Sequence, residues 1–268
     1  EMTPVGGPIT VSGASFAFTA QASGNVTLGG NVTLAGAGSA FTARAGTSGT
    51  GVITIPAGTT IRADSQTYRA GDGPGTLTTA TVNLLANTPQ LRNAAGDNAP
   101  VAFTLRQDEA ITDATLPAAA QFGGTFPKSV TLVSDDGALT VNSTTIAGPL
   151  TTDVLLSARQ AVTVGTAINA PVGIVRLNST TAGVTQAATG TITASTLGVR
   201  AASAIDLSAA PNAATSVALQ STAGAVSYVT AVPTTVVSVT ADPQTGVFTG
   251  ATGIQAGGAA VTVTPSGT

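Results

Sequence analysis

The sequence predicts an all-β fold, a right-handed parallel β-helix of about 11–12 rungs, each with three short strands and roughly 20–24 residues. Three observations carry that prediction: an aliphatic composition almost free of charge, strand-type alternation in short pieces, and the recurrence of one such piece along the chain.

Composition comes first. Of the 268 residues 43 % are hydrophobic but only 8 % are charged, against roughly 25 % charged in an ordinary soluble domain. The apolar part is aliphatic, with no Trp, two Tyr and seven Phe. Polar surface must therefore come from Thr, Ser, Asn and Gln, which suit strands and turns better than exposed helices.

The alternation is visible in GTITASTLGVRAASAIDLSAA, residues 190–210. Apolar residues recur at every second position over three to five residues, between Gly, Ser, Ala and Asn. No segment keeps the spacing of an amphipathic helix.

The recurrence is a five-residue phrase: apolar, any, apolar, any, then a small residue. It starts at Phe18, Phe41, Ile61, Val82, Phe103, Val130, Val154, Val175, Leu197, Val217 and Val237. The spacings are 23, 20, 21, 21, 27, 24, 21, 22, 20 and 20 residues. In ten of the eleven copies the fifth residue is Ala or Ser, with Gln107 the exception. Further apolar positions such as Val162, Val184, Ile205 and Val226, then Ile168 and Ile192, supply the other two strands of a rung. One coil cannot hide its inner face alone, so neighbours must stack. Apolar positions one and three then line the inside, and the small fifth residue turns a tight corner. A leucine-rich repeat needs a Leu consensus and a helical return, both missing here. The right hand follows from the general preference of parallel crossovers.

Residues 1–268 thus read as one solenoid rod, with an inserted loop at about 111–129 where the spacing stretches to 27 residues. That loop holds two Pro, a Gly pair, Phe122, Phe126 and Lys128, the only lysine. Outward positions are mostly Thr, Asn or Arg, but Leu85, Val133 and Leu155 break the rule. These three, with Phe122, Phe126 and Lys128, form the candidate interaction surface.

Chemistry is narrowly bounded. Without His or Cys, Ser–His–Asp and Cys–His catalysis, disulfides and the common zinc sites are excluded. No phosphate-cradling or dinucleotide fingerprint occurs. No cofactor is expected beyond an incidental Ca²⁺ at a turn. Nine scattered basic residues and a net charge of −3 give no nucleic-acid footprint. No apolar run is long enough for a membrane-spanning helix. The carboxylates Asp108, Glu109, Asp135 and Asp136, with Arg106 and Lys128, are the only candidates for an active site. Asp135-Asp136-Gly137 is also an ordinary turn signal, so the expectation is no enzyme, with a glycan-binding or polysaccharide-cleaving β-helix as the alternative.

The phrasing of ASGNVTLGGNVTLAGAGSAFTARAG (22–46) and DVLLSARQAVTVGTAINAP (153–171) resembles the β-strand repeats of large bacterial exoproteins of the filamentous-haemagglutinin and autotransporter-adhesin kind. The resemblance implies secretion, a β-helical shaft and a role in adhesion or surface structure, and offers no catalytic residues. The final VTVTPSGT looks like the middle of the chain. The expectation is a shaft segment or a fibre subunit whose partners are itself, end to end or side by side, and a host or cell-surface glycan.

Overall fold

A computed structural model describes residues 8–12, 16–47, 50–71, 81–83, 89–113, 116–117 and 119–266. Nearly all regular structure is β, and the chain divides into two compact units, residues 1–136 and 137–268. Each is a parallel β-solenoid, and about 8 turns are formed among the described residues.

In the first unit, three parallel sheets make the three faces. The long face stacks Ala17–Gln21, Ala40–Ala45, Ser65–Ala70, Ala102–Gln107 and Ser129–Ser134. A second face stacks Ile9–Val11, Val32–Leu34, Thr60–Arg62 and Gln90–Arg92. The third stacks Val26–Thr27, Val52–Thr54 and Thr81–Asn83. Parallel in-register pairing puts like positions in columns, so the alternation of each strand becomes a continuous wall. Ile53, Ile61, Val82, Leu91, Phe103 and Leu105 all point into the tube and are buried.

The rung count corrects the sequence expectation. Phe41, Gln66, Phe103 and Val130 share one column, at intervals of 25, 37 and 27 residues. Ile61 lies instead on the second face, between Val32 and Leu91, and Val82 on the third, beside Ile53. The five-residue phrase marks an inward-facing strand but not which face it serves, so Phe41 to Phe103 contains two rung intervals and not three.

The interior of this unit is aromatic as well as aliphatic. Phe18, Phe41, Tyr68, Phe103 and Phe122 follow one another with ring centroids 5.3–6.0 Å apart. Phe122 arrives from the inserted segment, whose short 3₁₀ turn Ala119–Phe122 docks against the rungs. Arg92 Nη1 donates to the Gln121 carbonyl at 2.5 Å, and Gln121 Nε2 to the Pro89 carbonyl. Where the insertion is described, it therefore tucks apolar residues inward, Leu116 included, and is not simply thrown outward.

The second unit keeps the expected period on its long face. Val154, Val175, Leu197 and Val217 are in register, at intervals of 21, 22 and 20 residues. Leu156, Leu177, Val199 and Leu219 form the next inward column, and all eight are almost fully buried. The fifth positions Ala158, Ser179, Ala201 and Ser221 line up at the corner. Their serines do more than fit: Ser179 Oγ donates to Gln160 O and Ser221 Oγ to Ser203 O, both at 2.7 Å. Another face stacks Leu139–Val141, Val162–Val164, Val184–Gln186, the start of Ile205–Ser221, Val226–Thr230 and Val261–Pro265. The third strand of each rung, at Ile168–Ala170 and Ile192–Ala194, runs straight into the long face through a register shift.

The eleventh phrase, at Val237, leaves the ladder. Val236 and not Val237 pairs with Val217. The chain then departs, forms the antiparallel pair Ser238–Val239 with Ala251–Thr252, and rejoins the ladder where Ile254 pairs with Leu219.

Both tyrosines sit inside, where a phenolate has no solvation. Burial pushes the Tyr68 phenol well above its ordinary range and the Tyr228 phenol up to about 12. Below pH ~10 both are neutral, folded or unfolded. Above it only the unfolded chain ionises, so stability is lost as pH rises through 10 toward 12, by up to about 1.4 kcal/mol per pH unit for each tyrosine. Urea melts between pH 8 and 11.5 should be flat to about pH 9.5 and then fall. Tyr228→Phe should make the fall shallower, and an unchanged slope would contradict the burial of that phenol.

Candidate functional site

The outward face of the long sheet differs between the two units, and in each the difference follows from register. In the first unit the outward columns are polar except at Val133. Thr19, Thr42, Thr67, Thr104 and Thr131 form one, and Gln21, Arg44, Arg69, Arg106 and Val133 the next. Three guanidinium-bearing residues therefore occupy successive rungs about 4.8 Å apart along the sheet. Arg106 is held in a two-point contact by Asp135, Nε to Oδ2 at 2.6 Å and Nη2 to Oδ1 at 2.9 Å. Arg69 sits between Arg44 and Arg106. Burial first, then the charges of Arg106 and Arg44, lower the pKa of its guanidinium, while the carboxylates of Asp135 and Asp108 oppose that effect. Nε of Arg44 is buried with no hydrogen-bond partner.

The carboxylates considered for catalysis are scattered in role. Asp135 is the buried partner of Arg106. Asp108 is fully buried against Gly71, where an added Cβ would collide with its carboxylate. The backbone N–H groups of Asp135 and Asp136 continue the rung by donating to Gln107 O and Asp108 O. Lys128 is exposed, on the stretch that leads into Ser129–Ser134. Asp135 and Asp108 are thus placed to balance charge and close turns.

In the second unit the outward face of the long sheet is mostly apolar and covered. Leu155, Arg176, Gly198 and Ala218 form its outward column. The excursion of residues 237–253 folds back across it, and Leu155, Ala218, Val239, Phe248 and Ala251 make a small second core outside the tube. A Cβ at position 198 would lie 2.8 Å from Val239 Cγ1 and 3.0 Å from Phe248 Cζ, so glycine is what lets the ring approach the sheet. Polar contacts fasten the strap. Asn178 Nδ2 donates to Val247 O at 3.2 Å, Arg200 Nη1 to Gly250 O at 2.7 Å and Arg176 Nε to Thr240 O at 3.3 Å. Arg176 also pairs with Asp153 at 2.5 Å. Burial raises the Asp153 pKa, the Arg176 charge opposing it.

The expected interaction residues fall out accordingly. Leu155 is buried under the strap, and Val133 and Phe122 are also buried, so these three offer no free surface. Phe126 is half-buried and Lys128 exposed. Leu85 lies outside the described residues. What the sequence reading missed is the arginine column and the strap. Leu155 was the visible sign of the second, and Gly198 the sign that something bulky rests on the face.

Comparison with known proteins returns no match: no family model, no curated protein and no solved structure is similar to the chain. The fold itself defines a class, the parallel β-solenoids. No helix among the described residues is long and apolar enough to cross a membrane.

Proposed function

We propose that the chain is a structural element of a secreted bacterial surface protein, a β-solenoid shaft that holds other parts of an adhesin or fibre away from the cell. The single observation that supports this most is the stacking of buried aliphatic residues from rung to rung. Inward columns run through the rungs, and even the buried polar residues Gln66, Gln107, Gln186 and Asn212 spend their amides on backbone groups of their own and adjacent rungs. A shaft needs no catalytic cleft, only stiffness and resistance to proteases. A surface rich in Thr and nearly free of Lys, with no Cys, suits an oxidising, protease-rich exterior.

One further observation favours self-association. The strand Val261–Pro265 pairs with Val226–Thr230 on one edge; among the described residues its other edge carries no strand. Its Val261 and Val263 are 48 % and 45 % exposed. Such an edge is a template for a further rung, whether from more of the same chain or from a second copy. Negative-stain imaging of the purified chain, with limited proteolysis, tests the reading. Protease-resistant rods or filaments are expected. Protease-labile particles would overturn the shaft reading, and turnover of a polysaccharide that is lost in Asp135→Asn or Asp136→Asn, in variants that melt as the parent does, would replace it by the enzyme alternative.

A further inference from the structure

The strap of residues 237–253 enters and leaves the ladder at one point. Val236 pairs with Val217 before it and Ile254 with Leu219 after it. Its neck is closed by Gly253 N, which donates to Val237 O at 3.0 Å. The rung is therefore complete on both sides of the excursion, and the strap lifts without breaking a rung-to-rung strand pair. It is also tied to itself. Ser238–Val239 pairs with Ala251–Thr252, and Asp242 Oδ2 accepts from Thr245 N at 2.7 Å and Thr245 Oγ1 at 2.5 Å. The strap thus moves as a unit, with Gly250 and Gly253 of its returning arm at positive φ, 96° and 71°, where other residues are strained.

The face beneath recognises the strap by its backbone. Asn178, Arg200 and Arg176 donate to the carbonyls of Val247, Gly250 and Thr240. Gly198 leaves a seat for Val239 and the Phe248 ring, beside Leu155 and Ala218. Nothing in these contacts requires the strap to come from the same chain. We propose that this face is also an interface between two copies of the chain, formed by exchange of straps, so that the strap of each copy lies on Leu155, Gly198 and Ala218 of the other. Every contact of the closed strap is then remade between chains, so exchange costs little beyond bringing two copies together, and it closes on itself as a two-fold pair. Release bares an apolar face, so exchange is slow and the pair outlasts dilution. This lateral pairing differs from growth at the Val261–Pro265 edge and does not rest on the shaft reading.

The test follows the full chain by size-exclusion chromatography with light scattering, after concentration, gentle warming and dilution. A dimer that persists on dilution is expected. The variant Gly198→Cys/Val239→Cys then reports where the strap lies. A Cβ at position 198 stands 3.0 Å from Val239 Cβ, close to the span of about 3.5–4.5 Å in disulfides, and the chain has no native cysteine. Oxidised as a dilute monomer, this variant has its strap locked and should give no dimer until reduced. Dimers oxidised after concentration should carry the disulfide between chains, at twice the mass on a non-reducing gel. Circular dichroism melts establish that the variant is folded. If it is not, Gly198→Cys and Val239→Cys chains, mixed and oxidised, should yield a disulfide joining one of each. The proposal is overturned if the parent stays monomeric throughout, if the locked variant dimerises as the parent does, or if the disulfides of the dimer, or of the mixture, fail to join Gly198→Cys of one chain to Val239→Cys of another. Locked chains that still form filaments would leave the shaft reading standing and remove this one.

Discussion

Val199→Asp should unfold the rungs around it, costing at least about 4 kcal/mol. Val199 has no exposed surface and stands in register between Leu177 and Leu219. A carboxylate there meets aliphatic groups above and below, with no cation in the column. The tube is narrow, so the side chain cannot turn out to water without breaking the alternation of the whole strand. Thr163→Asp, outward on the same unit, should cost under about 1 kcal/mol. Its hydroxyl has only the Thr185 hydroxyl for company, on an exposed face. Urea denaturation of both variants checks this, and equal losses would contradict the assignment of inside and outside.

Asn212→Leu is expected to be nearly as damaging, about 2–4 kcal/mol. Leucine keeps the number and branching of heavy atoms, so the loss comes chiefly from hydrogen bonding, with a smaller cost for its larger methyl groups. Asn212 is fully buried. Its Oδ1 accepts from Ile192 N at 3.0 Å and from Gln186 Nε2 at 2.7 Å. Its Nδ2 reaches the carbonyls of Leu207, Ala210 and Val229 at 3.1–3.2 Å. These groups lie where the rung bends and the ladder register shifts, so the amide supplies partners that the strands no longer do. Leucine leaves the Ile192 N–H without its acceptor. Gln186→Leu should cost less, and the double variant less than the sum, because the two amides serve one network. Strict additivity in melts would count against that network.

These two sites also show what a sequence can disclose about such a fold. Val199 was legible: apolar alternation with a short, regular period reveals an inward position wherever rungs keep equal length, as from Val154 to Val217. Asn212, Gln66 and Gln107 were not. A polar residue in an apolar frame reads as outward, and its inward role depends on backbone groups left open by a corner that only the fold reveals. The strand Ser65–Ala70 was hidden for the same reason, since Gln66 occupies its first inward place. Ile61 and Val82 carried the right signal for burial and the wrong one for face, because all three faces use the same alternation. The arginine column is invisible without register. Its members are 25 and 37 residues apart, with no fixed period to betray them. Leu155 stood out as an apolar residue facing outward, but its cover comes from Phe248, far along the chain, through packing that no local pattern encodes.

The central claim is that like positions of successive coils stack in parallel at a fixed rise. A chain without cysteine allows this to be measured with spin labels on introduced cysteines. Thr140, Thr163, Thr185, Asp206, Ser227 and Thr262 form one outward column of the second unit. With Thr140→Cys fixed and the partner cysteine moved along that column, label separations should grow by about 4.8 Å per rung, reaching about 24 Å between positions 140 and 262 after five steps. Distances that rise in even steps are the predicted result. Distances that fail to increase in that order, or that scatter independently of rung number, would contradict the stacked solenoid.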